Sequence, residues 1–139
     1  MANALAEADS AAEFQGLKVM VIDDSKTIRR TAESLLQKHG ADVITAVDGF
    51  EALSKVANSN PDIIFIDVMM PRLDGYQTCA LIKNNKRFRA TPIIMLSSKD
   101  SVFDKAKGRV VGSEDYLTKP FTRDDLLGAM RQYTRPAGS

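Results

Sequence analysis

With 139 residues, 44% hydrophobic and 27% charged, the chain suits one domain with a substantial core and has the composition of an ordinary globular protein. Its 19 basic and 18 acidic residues leave a formal charge of +1, which removes any global electrostatic case for nucleic acid or a membrane surface as partner. A single cysteine, Cys79, excludes an internal disulfide, no apolar run is long enough to span a bilayer, and no secretion signal opens the chain, so the cytoplasm is the expected compartment.

Residues 1–15 are rich in Ala, Glu, Asp and Ser, with Leu5 and Phe14 the larger apolar side chains, and read as a mobile leader. Leu17 to Ile22 reads as a buried strand running directly into Asp23 and Asp24. Ser25 to His39 sets Ile28, Ala32, Leu35, Leu36 and His39 on one helical face, with Asp24 or Ser25 as N-cap and Gly40 where a left-handed residue closes a helix. His39 has no ligand or catalytic partner in the pattern and reads as structural. Val43 to Ala46 is a short strand, and Phe50 to Ala57 a short helix with Ala52, Leu53, Val56 and Ala57 inward, broken at residues 58–61.

Ile63 to Ile66 is a continuous apolar run of the kind a strand buried on both faces requires, and Asp67 ends it. A carboxylate there is costly unless it faces a cation, hydrogen-bond donors or a cleft; taken alone, it is more often a loop cap. Pro71 turns the chain, and Asp74 can cap the next helix, on which Tyr76, Cys79, Ala80 and Lys83 recur at helical spacing. Cys79 reads as a small core residue, and the basic run Lys83 to Arg89 as a solvated helix end and loop. Pro92 to Leu96 is a fourth strand ending in Ser97-Ser98, Val102 to Val111 a weaker helix interrupted by Gly108, and Tyr116 to Thr118 a fifth strand ending in Lys119-Pro120. Thr122 with Asp125 forms a capping box for a last helix carrying Leu126, Leu127, Met130 and Tyr133. Residues 16–134 thus form the domain, and 135–139 a frayed end.

This alternation predicts an α/β fold, a doubly wound parallel sheet of five strands with helices on both faces. Ligands in such sheets sit beyond the carboxyl ends of the strands, near the switch in strand order. Leaving those ends are Asp23 and Asp24, Asp67, Ser97 and Lys119. Each alone is ordinary surface chemistry; together they make one site. Clustered carboxylates need a cation, and oxygen ligands without His or Cys suit Mg²⁺. Between Mg²⁺ and the Lys119 ammonium, Asp67 is placed to accept a phosphoryl group as an acyl phosphate, with the Ser97 hydroxyl donating to it.

Ile22-Asp23-Asp24, the Asp67 stretch with Pro71 and Gly75, Pro92 to Ser98, and Tyr116 to Phe121 resemble the receiver domains of two-component response regulators, over roughly Leu17 to Tyr133. The resemblance implies a flavodoxin-like, CheY-like sheet and a regulatory rather than an enzymatic role. It implies Asp67 as phosphoacceptor, Asp24, Asp67 and the Met69 carbonyl as direct Mg²⁺ ligands with Asp23 acting through water, and Lys119 as the phosphate-binding lysine before a cis Pro120. It further implies Ser97 as the switch hydroxyl and Tyr116 as the switch aromatic. Within the family the wording resembles single-domain regulators of type IV pilus twitching motility. That implies a histidine kinase of a chemosensory-type system upstream, a protein partner of the pilus machinery downstream, and a monomer or weak dimer. A phosphate sink for a kinase, or the receiver of a longer DNA-binding regulator, are the alternatives within the family. An aspartate-dependent phosphatase is disfavoured because Met69 stands where its second acid belongs, and a flavin carrier because Asp23 and Asp24 repel a phosphate.

Overall fold

A computed structural model describes residues 13–98 and 102–134. Five parallel strands, β1 (Lys18–Ile22), β2 (Asp42–Ala46), β3 (Ile63–Asp67), β4 (Ile93–Ser97) and β5 (Asp115–Thr118), form one sheet in the order β2-β1-β3-β4-β5. The helices between and after them are α1 (Lys26–Lys38), α2 (Gly49–Ser59), α3 (Gly75–Asn84), α4 (Val102–Val111) and α5 (Arg123–Tyr133), with a short 3-10 turn at Lys86–Phe88. After β2 is laid on one side of β1, β3 pairs on its other side, so the order switches at β1 and the crevice lies between the ends of β1 and β3.

The strands are apolar on both faces, and their alternation divides the core in two. Met20, Ile22, Ile64, Ile66, Ile93 and Met95 face Ala52, Val56, Cys79 and Ile82 of α2 and α3. Val19, Val21, Ile63, Phe65, Ile94 and Leu96 face Ala32 and Leu36 of α1 and Leu126, Leu127 and Met130 of α5. Helix starts follow local chemistry. Ser25, not Asp24, caps α1, and Asp74 and Thr122 each close a reciprocal capping box with Gln77 and Asp125.

Several sequence expectations need correction. Phe14, assigned to the leader, is fully buried in the α1/α5 layer; its N–H donates to the His39 carbonyl at 2.8 Å and its ring lies 6.1 Å from the His39 ring. Beside it Glu13 forms a fork with Arg131 Nε and a second guanidinium nitrogen at 2.6 and 3.0 Å, which holds the Glu13 carboxyl below its usual range. Packing onto the fold therefore reaches back at least to residue 13, while residues 1–12 and 135–139 of the expected leader and frayed end lie outside the described residues. A lone aromatic in a polar run carries no periodicity, so its burial is a tertiary fact. Phe14→Ala is expected to cost about 3 kcal/mol, as emptying a buried aromatic site does. Urea unfolding measures this, and a loss under about 1 kcal/mol would mean the segment contributes no packing.

Ala57, expected inward, is exposed, as is Ala80 on α3, while Ile82 and Phe88 are buried in the core. Lys83 is not solvated. Its ammonium donates to Glu114 Oε1 at 2.5 Å and to the carbonyls of Thr91 and Arg89 at 2.6 and 3.1 Å, while Glu114 Oε2 accepts from Ile93 N–H at 2.6 Å. Cys79 is buried, with its thiol pushed up to about 12 by desolvation first, which makes it inert and structural as expected.

Candidate functional site

Three of the strands end in the residues that build the site. β1 delivers Asp23, fully buried, and Asp24, exposed; β3 ends at Asp67, 5% exposed; and the peptide after β5 carries Lys119. Carboxylate oxygens of Asp23, Asp24 and Asp67 all lie within 4.8 Å of one another. The Lys119 ammonium reaches between two of them, 2.6 Å from Asp23 Oδ2 and 3.1 Å from Asp67 Oδ1. Asp23 is oriented from both ends, since its Oδ1 accepts from Ser25 N–H at 2.9 Å and its carbonyl accepts from the Arg29 guanidinium at 2.7 Å. Arg29 does not stand out in the sequence, because an arginine on an exposed helix turn usually has no partner.

Electrostatics separate the groups. Asp67 is raised from 3.8 to about 6, by desolvation first and then by the Asp23 charge, against the pull of Lys119 and the N–H of Met69. Burial works to lower Lys119, but hydrogen bonding and charge from Asp23, then Asp67, outweigh it and raise the ammonium above its usual range. The lysine is thus locked as a cation. Without a further cation the site is overloaded with negative charge, and an all-oxygen donor set without His or Cys fits a hard divalent ion.

The loop after β3 closes tightly around Asp67. Met69 N–H donates to Asp67 Oδ1 at 3.3 Å, and Gly75 N–H donates to the Val68 carbonyl at 2.9 Å. A Cβ on Gly75 would stand 2.3 Å from the Asp67 carbonyl oxygen, so only glycine lets α3 start this close to the end of β3. The Met69 side chain, 72% exposed, points away from the core. The Lys119–Pro120 peptide is cis. Ser97 is buried at the end of β4, its carbonyl accepting from Lys119 N–H. Tyr116 is partly buried against the α2/α3 side of the core; its hydroxyl is buried and without a hydrogen-bond partner among the described residues, and Lys105 Nζ lies 5.7 Å from its ring centre.

A doubly wound sheet with an acidic cluster and a lysine at its switch point defines a receiver, and residues 19–131 match the response regulator receiver domain family, to which this chain belongs. It is 73% identical over 121 residues to protein PilG of Pseudomonas aeruginosa, covering 87% of this chain and 90% of that protein. It is 45% identical to the alkaline phosphatase synthesis transcriptional regulatory protein PhoP of Bacillus subtilis, spanning 85% of this chain but only 48% of that longer protein. Among solved structures, the chemotaxis protein CheY4 of Vibrio cholerae superposes with a TM-score of 0.82 at 36% identity, over 85% of this chain and 98% of that one. No helix among the described residues is long and apolar enough to cross a membrane.

Proposed function

We propose that this chain is a phosphorylation switch in which Asp67 takes a phosphoryl group from the phosphohistidine of a chemosensory-type kinase, with Mg²⁺ held by Asp24, Asp67 and the Met69 carbonyl, and Asp23 acting through water. The observation that carries the reading is the convergence of Asp23, Asp24, Asp67 and Lys119 on one crevice. Asp67 attacks phosphorus, the N–P bond breaks as the O–P bond forms, and the donor imidazole leaves neutral after protonation. Lys119 and the Met69 N–H both engage Asp67 Oδ1, which orients the carboxylate. Bound Mg²⁺ supplies charge neutralisation for the phosphoryl oxygens. Lys119, already a fixed cation, follows the new charge from Asp23 toward the phosphoryl group.

Ser97 then donates to a phosphoryl oxygen, and Tyr116 responds as the switch aromatic. The unpartnered Tyr116 hydroxyl supports a two-position ring, because a buried hydroxyl without a partner costs about 1–3 kcal/mol and a solvent-facing position recovers it. The partner in this reading is a protein of the pilus machinery and the role is in twitching motility, as the wording of the receiver motifs implies, and the 73% identity to protein PilG is in keeping with a receiver that works by switching a protein partner.

Incubation with phosphoramidate and Mg²⁺ is expected to add one phosphoryl group by intact mass, and none to Asp67→Asn or in excess EDTA. Equal labelling of Asp67→Asn would overturn the site. Kinase-independent partner binding that ignores labelling would favour the phosphate-sink alternative.

A further inference from the structure

Resting on that reading, we propose that Arg72 is a positioning residue for phosphoryl transfer: it ties the tip of the acceptor loop to the loop after β2 and so holds Met69 against Asp67. Arg72 is a non-glycine residue with φ of +68°, and Leu73 N–H donates across it to the Pro71 carbonyl at 2.8 Å. A hydrogen bond from i+2 to i around a positive φ is the strained form of the γ-turn, which L-residues rarely adopt. A glycine would adopt this φ at no steric cost whereas arginine does not, so something must offset the arginine's strain.

The offset is visible on the neighbouring loop. The Arg72 guanidinium donates to Asp48 Oδ2 at 3.0 Å and lies 5.4 Å over the centre of the Phe50 ring. Asp48 is itself fixed, because its Oδ1 accepts from Glu51 N–H at 2.8 Å as the N-cap of α2. One carboxylate therefore serves a helix cap with one oxygen and the acceptor loop with the other. The ends of the loop are pinned by Gly75 N–H on the Val68 carbonyl, and its tip by Arg72. Met69 lies between these two fixings, with its N–H on Asp67 Oδ1. Arg72 makes one charge-assisted bond while its guanidinium lies over the Phe50 ring, and two contacts on one rigid planar group hold direction as well as distance.

The test compares wild type, Arg72→Gly, Arg72→Lys, Asp48→Asn and the Arg72→Gly/Asp48→Asn double variant. Asn keeps the helix cap and removes the charge. Arg72→Gly relieves the strained turn, so its melting temperature should equal or exceed the wild type's. Its metal-free amide exchange across residues 68–73 should nevertheless accelerate several-fold, and phosphoramidate labelling at saturating Mg²⁺ should slow about tenfold. Arg72→Lys should recover only part of the rate, and the double variant should fall no further than the worse single one. Wild-type exchange and labelling in Arg72→Gly, or losses that add in the double variant, would refute the clamp. Failure of the wild type to label at all would instead strike the phosphoacceptor reading.

Discussion

In metal-free buffer above neutrality, Asp67→Asn is expected to be more stable than the wild type by about 1–3 kcal/mol, the free energy that a rise of about two pH units in its pKa represents. Asp67 is raised from 3.8 to about 6 because the fold buries it beside Asp23. A carboxyl that binds its proton more tightly when folded contributes stability that is fully present below its unfolded value of 3.8 and is lost as pH rises through about 6. The wild type should therefore lose this contribution between those values and hold a plateau above them, while Asp67→Asn should show no such loss. Its melting temperature should exceed the wild type's by roughly 5 °C on the plateau. Millimolar Mg²⁺ should narrow the difference, because the cation offsets the repulsion that the substitution removes. Thermal unfolding from pH 4 to 8, with and without EDTA, measures each arm. A less stable Asp67→Asn in EDTA would show that the site is not electrostatically overloaded, and the argument for a resident cation would weaken with it. On the proposed reading, function and stability oppose each other at Asp67, where the fold concentrates charge.

Gly75→Ala is expected to be strongly damaging, at about 2–4 kcal/mol, the range for overpacking a site that cannot yield. The added Cβ would meet the Asp67 carbonyl oxygen at 2.3 Å and the Asp67 carbonyl carbon and Val68 Cα at 2.9 Å, all backbone atoms. No side chain can rotate out of the way; β3 and α3 must part, and Asp67 moves with them. Phosphoramidate labelling should fall along with stability. Gly128→Ala provides the opposite case in the same protein. Nothing lies within 4 Å of its added Cβ in the middle of α5, so it should stabilise by about 0.5–1 kcal/mol through helix propensity. Urea unfolding of both variants tests the pair, and a Gly75→Ala protein as stable as the wild type would mean that the start of α3 is not seated on the acceptor strand.

Much of the architecture is legible in the residues because it rests on local rules. The run Ile63 to Ile66 has the character of a strand buried on both faces, and all of its residues are buried. Asp74 and Thr122 sit where capping boxes form, and both form them. The alternation of strands with helices at short spacing implies parallel strands, so the placement of Asp23, Asp24, Asp67 and Lys119 at the carboxyl end of the sheet follows from that alternation. Long-range contacts are another matter. Phe14 is buried because α1 and α5 leave a gap its ring fills, and Lys83 leaves solvent because Glu114, 31 residues away, receives it. The preference of Lys119 for Asp23 over Asp67 is set by fractions of an ångström between three loops. The link from Arg72 to Asp48 spans 24 residues and joins two loops that a periodicity reading treats separately. Periodicity and capping act within a few residues, so sequence by itself determined which elements form and that Asp23, Asp24, Asp67 and Lys119 lie at the carboxyl ends of the strands. Distances between loops are set by how whole layers pack, and only the tertiary structure decided which charges pair, which oxygen is engaged and which strained turn is held.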